Sequence, residues 1–109
     1  MCAIGKYKKM RKLIGYKVFY IPEAGLYRSL YFGTSGLYKL GIRYQCTGNV
    51  TPYTELGFWA FKTRKAAYKF RHDLGRYDTR VCKVELTGNI AEHVTGYRSE
   101  FMRIVWEYK

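Results

Sequence analysis

The chain has 109 residues, 48% of them hydrophobic and 18% aromatic, which suits one packed core and excludes a disordered or low-complexity segment. Twenty Lys and Arg against eight Asp and Glu give a formal charge of +12, so polyanions should be attracted: a nucleic acid, an acidic protein face or an anionic membrane. Cys2, Cys46 and Cys82 are odd in number and share no C-x-x-C spacing, which argues against a disulfide framework or a zinc site and for a reducing, cytoplasmic interior. The basic run from Lys6 to Lys12 is followed by Leu13-Ile14-Gly15-Tyr16-Lys17, too short and polar for a signal-peptide core. No stretch approaches the roughly 20 apolar residues of a membrane-spanning helix, and no membrane partner is expected.

In chain order, residues 1–13 hold five basic residues and no acid, the pattern of a solvated arm, with the folded domain covering 14–109. Tyr16 to Ile21 is β-branched or aromatic apart from Lys17 and ends at Pro22, which predicts a mostly buried strand. Leu26 to Phe32 predicts a second, closed by a Gly33-Thr34-Ser35-Gly36 turn. The return strand, Leu37 to Gln45, is expected to bury Tyr38, Leu40, Ile42 and Tyr44. Cys46 to Glu55 has a loop composition, and Leu56 to Phe61 a short aromatic strand. From Thr63 the period changes: Ala66, Ala67, Phe70 and Leu74 recur at spacings of three and four, so a helix capped by Thr63 and ended by Gly75 follows. Val81 to Leu86 predicts a strand with a Gly88-Asn89 turn behind it. Phe101 to Tyr108 predicts the last strand, with Met102, Ile104, Trp106 and Tyr108 inward and antiparallel pairing to Arg80–Leu86. The fold class expected is α+β: a mainly antiparallel sheet of five to six strands with one principal helix packed on it.

The basic residues fall into two clusters. Lys6, Lys8, Lys9, Arg11 and Lys12 form one; Lys62, Arg64, Lys65, Lys69, Arg71, Arg76 and Arg80 form the other, interrupted only by Asp73 and Asp78. The helix and the loop after it are therefore expected to present a positive ridge to phosphates, and these residues are the candidate nucleic-acid or partner-binding set. Tyrosines beside such charges on a strand face suit stacking on the bases of single-stranded RNA or DNA, although Tyr is also a good strand former. No helix-turn-helix, zinc finger or RNP-type aromatic motif is present, so sequence-specific readout is not expected. His72 and His93 lack a nearby Cys or carboxylate at metal-ligand spacing and are expected at the surface. Ser29, Ser35 and Ser99 lack a G-x-S-x-G context, and the Gly-rich turn has no phosphate-loop Lys. No catalytic residue, metal or cofactor is expected.

Four segments, in order, resemble a loosely defined family of small phage and bacterial domains of unknown function. They are Gly15-Tyr16-Lys17-Val18-Phe19, Leu56-Gly57-Phe58-Trp59-Ala60-Phe61, Arg80-Val81-Cys82-Lys83-Val84-Glu85-Leu86-Thr87-Gly88 and Met102-Arg103-Ile104-Val105-Trp106-Glu107. The resemblance implies a phage accessory protein of the kind that blocks a host defence complex, anti-CRISPR-like in role. Its partner would be nucleic acid or an acidic face of that nucleoprotein. In the family the Gly-Phe pair is followed by His and often by Cys two positions on; Trp59 and Phe61 stand there in this chain, which favours binding over catalysis. Two other readings stand beside it. One is a minimal ADP-ribosyltransferase-like enzyme using Arg28, Tyr68 and Glu85 or Glu100; the other is a viral structural or assembly protein whose charge assists packaging.

Overall fold

A computed structural model describes residues 12–29, 37–46, 50 and 56–108, together with the backbone of 3–8. Among them are eight strands, β1 (Ala3–Lys8), β2 (Leu13–Tyr20), β3 (Tyr27–Ser29), β4 (Leu37–Tyr38), β5 (Arg43–Gln45), β6 (Phe58–Phe61), β7 (Thr79–His93) and β8 (Gly96–Tyr108), and one helix, α1 (Arg64–Leu74). Every pairing is antiparallel. The chain is therefore α+β, a mostly antiparallel sheet with one helix, and it has more strands than the five to six expected.

The frame is the long β7–β8 hairpin. One edge of β7 carries β2 along Thr79 to Leu86 and β1 along Ile90 to His93. The far edge of β8 carries β6 along Gly96 to Ser99 and β5 along Phe101 to Arg103. Strand β6 in turn meets β2 at Phe61↔Tyr16, so β2, β7, β8 and β6 close on themselves as a small barrel. Closure needs strong local curvature, and the hairpin supplies it with bulges between Lys83 and Val84 and between Thr87 and Ile90. Gly88, at φ +81°, takes the left-handed conformation that the second bulge requires. Gly15 sits where β2 passes β6: a methyl group there would lie 2.8 Å from the Ala60 Cβ.

Alternation along these strands sorts the side chains. Phe19, Phe58, Cys82, Val84, Leu86, Ile90, Met102 and Ile104 fill the interior, all buried. Val18 and Val81 point out of the barrel and meet Ala67 of α1, with Tyr16, Phe61, Phe70 and Tyr108 packed around them. The helix forms as its sequence predicts. Thr63 is extended and its Oγ1 accepts the Ala66 N–H at 3.1 Å, and Gly75 ends the helix by donating its N–H to the His72 carbonyl.

Several expectations are corrected. The basic N-terminus is not a free arm throughout, because Ala3–Lys8 adds to the edge of β7 as a strand. The return strand is broken: β4 and β5 flank a turn at Leu40-Gly41 and pair with β3 and β8 respectively, and Leu40 and Ile42 stand half-exposed where burial was expected. Gly88-Asn89 is not a turn, since β7 runs through it with a bulge and reaches His93. The last strand begins at Gly96, and Val105 is the bulged residue opposite the Lys83–Val84 step. That extra residue flips the face beyond it. Ile104 and Met102 stay inside, Glu107 turns to the face of Cys82 opposite it, and Trp106 turns outward opposite Lys83, contrary to its expected burial. The expected strand through Leu30 to Phe32, the turn at 33–36 and most of the 46–55 loop lie outside the described residues.

Candidate nucleic-acid interface

The fold sets Lys6 and Lys8 apart from the cations of α1, while Lys62 of the second cluster reaches Glu92, the residue opposite Lys6. Lys6 and Lys8 lie on β1 opposite Glu92 and Ile90, whereas α1 packs near Val81. That is nine residues back along β7, up to about 30 Å of strand. Lys9 and Arg11 lie outside the described residues. Lys12 places its Nζ 3.6 Å from Glu85 Oε2.

Within the second cluster the cations divide by what already holds them. Lys62 donates to Glu92 at 2.7 Å and lies over the Tyr97 ring, which ties β6 to the hairpin. Arg76 makes a two-pronged pair with Asp78, at 3.1 and 2.8 Å, and lies over the Tyr20 ring at 4.8 Å. The pair holds the Asp78 carboxyl below its usual range and pushes Arg76 up. Arg64, Lys65 and Lys69 are exposed on α1. Lys69 has Asp73 at 3.7 Å, a solvent-exposed pair that contributes little. Arg64 lies with its guanidinium 4.9 Å from the centre of the Tyr108 ring.

Arg71 and Arg80 behave differently. Both line an open cleft of about 860 Å³ between α1, the start of β7, the end of β8 and the turn after β2. Each is anchored by backbone: Arg71 Nε donates to Thr79 O at 3.0 Å, and Arg80 Nη1 donates to Thr79 O at 2.8 Å and Tyr77 O at 3.1 Å. A guanidinium has five N–H donors, so these bonds orient the groups without exhausting them. The cleft's two carboxylates are already engaged, Asp78 by Arg76 and Glu107 by the Tyr27 hydroxyl at 2.7 Å. Burial, with the Glu107 bond second, raises the Tyr27 pKa. Tyr68, Tyr77 and Tyr108 complete the wall, and Tyr77 is 94% exposed. Two oriented cations and accessible aromatic rings suit phosphates and unstacked bases.

The histidines split. His72 is exposed as expected, but His93 is buried, its Nε2 accepting from Arg98 Nε at 2.8 Å and its ring edge-on to Trp59. The sequence places His93 in a polar stretch after a turn; the continuation of β7 through that stretch carries it into the sheet. Lys17 is 3% exposed inside the barrel, donates to Trp59 O at 2.7 Å, and has its pKa lowered by burial to about 7.

The residues of the enzymatic reading lie on four elements. Arg28 is on β3, Tyr68 on α1, Glu85 on β7 and Glu100 on β8. Glu85 is held by Arg103 at 2.9 Å, and Glu100 accepts from Asn89 N and Gln45 Nε2. No contact among the described residues joins the four. None of the described helices is long and apolar enough to cross a membrane. Comparison with protein-family models, curated proteins and solved structures yields no match for this chain.

Proposed function

We propose that the protein binds nucleic acid, free or within a host nucleoprotein complex, through the exposed face of α1 and the adjoining cleft. We read it as a phage-type accessory protein that inhibits such a complex. The observation that carries the binding reading is the set Arg64, Lys65, Lys69, Arg71 and Arg80 on one side of the molecule, where Asp78 of the cleft is already paired with Arg76 and Glu107 accepts the Tyr27 hydroxyl. The accessory and inhibitory role rests on the four-segment resemblance and on the +12 charge.

Five phosphate contacts give a log–log salt slope of about −4.5, so raising salt from about 50 to about 200 mM weakens binding roughly 500-fold. Anisotropy of labelled oligonucleotides across that range measures it. Lys65→Glu with Lys69→Glu should weaken binding at low salt and flatten the slope by about 2. An affinity for RNA and DNA that is absent, or indifferent to salt and to the double reversal, removes the reading.

A further inference from the structure

The bulge at Val105 places Trp106 on the outer face of the sheet, 59% exposed, directly opposite Lys83. Two residues on, and on the same face, Tyr108 carries Arg64 over its ring and forms part of the cleft wall with Arg71 and Arg80. Trp106 is thus continuous with the positive cleft through Tyr108. We infer that this strip of β8 is a stacking track that selects single-stranded over double-stranded nucleic acid, with Trp106 receiving an unpaired base and Lys83 the neighbouring phosphate. The inference rests on the binding reading above and specifies its ligand.

Spacing supports the selection. Side chains at 106 and 108 on one face of a strand stand about 6.8 Å apart, twice the 3.4 Å per nucleotide along one strand of a duplex. Bases set on Trp106 and on the Arg64–Tyr108 pair must therefore be unstacked from each other, which a paired and stacked duplex does not allow. An indole face and a planar guanidinium both accept an unpaired base regardless of its identity. Charge favours this occupant over an acidic protein segment, because the cations lie beside aromatic rings along the strip. Lys83 faces Trp106 and Arg64 lies over Tyr108, while Glu85, on the same face as Lys83, is already held by Arg103 and Lys12.

The test compares wild type, Trp106→Ala and Trp106→Phe by anisotropy at one salt concentration. The probes are labelled oligo(dT), oligo(U) and a DNA duplex of equal length, and thermal melts show that each variant is folded. Wild type should prefer both single strands to the duplex. Trp106→Ala should lose about 5- to 140-fold on the single strands, with duplex affinity unchanged and Trp106→Phe close to wild type. A folded Trp106→Ala variant that binds single strands like wild type overturns the track, as does a duplex bound equally well; in both cases salt-sensitive binding to α1 can still stand. Tryptophan quenching by an acidic protein but by no oligonucleotide, abolished in Trp106→Phe, also overturns it and assigns the face to a protein partner. Failure of every oligonucleotide to bind removes the track and the broader reading together.

Discussion

Lys17 shows how far one side chain can depart from what its type suggests. On the outer face of a strand it would be an ordinary cation, but alternation along β2 puts it with Phe19 inside the barrel, opposite Cys82. Burial then disfavours the charged form and brings its pKa to about 7. In the unfolded chain the amine keeps its ordinary pKa of 10.5, so between the two values the unfolded state binds the extra proton and stability rises with pH. The gain from pH 7 to pH 9 is about 2 kcal/mol. Above about pH 9 the trend should bend over, because burial raises the Cys82, Tyr27 and Tyr38 pKa values and the unfolded chain releases those protons first. Urea titrations at a series of pH values measure the curve, and Lys17→Met should flatten its rise between pH 7 and 9. Nothing in the residues around Lys17 announces this beyond its position in an otherwise apolar run, because the sequence shows alternation and not which face is enclosed. His93 was equally hidden.

At the scale of elements, α1 was the most legible part of the chain. Its cap, its stop and its three-four spacing are local signals; the cap and the stop hold, and of the apolar stripe Ala67 and Phe70 pack on the sheet while Leu74 is exposed. Removing the cap with Thr63→Ala should cost about 1 kcal/mol, read as a lowered midpoint in chemical denaturation with the slope unchanged. The strands were harder to place. Thr79–His93 and Gly96–Tyr108 are continuous because bulges absorb residues that read locally as turns, and a bulge depends on the partner strand. One inserted residue at Val105 reassigns Trp106 from core to surface and turns Glu107 to the face of Cys82, where it is half-buried beside the cleft. The short β4 and β5 could not be read as separate pieces, because each is set by the strand that it joins and not by its own two or three residues. Where β2 passes β6 the packing is tight enough to test. Gly15→Ala should destabilise by about 1–3 kcal/mol, since the new methyl meets the Ala60 and Leu86 side chains and the Phe61 carbonyl.

For the molecule as a whole, the closed ring of β2, β7, β8 and β6 makes the hairpin the common partner of β1, β2, β5 and β6. Hydrogen exchange should therefore be slowest at Val81 to Leu86, paired on both sides by β2 and β8, and fast in β4 at the sheet edge. The same closure places the cleft: α1 covers one outer face, and the strand ends around it leave the cleft open. The α+β class, the helix with its caps, the strongly positive balance and the cations of α1 are legible in the chain alone, because composition, local periodicity and capping are short-range properties. The folded arrangement fixed which cations remain available and which are tied, Lys62 to Glu92 and Arg76 to Asp78 among them. It also decided that Tyr68, Tyr77 and Tyr108 share one cleft and that Trp106 faces out. Those outcomes depend on register, bulges and ring closure, which join residues far apart in the chain and leave no mark in any one segment.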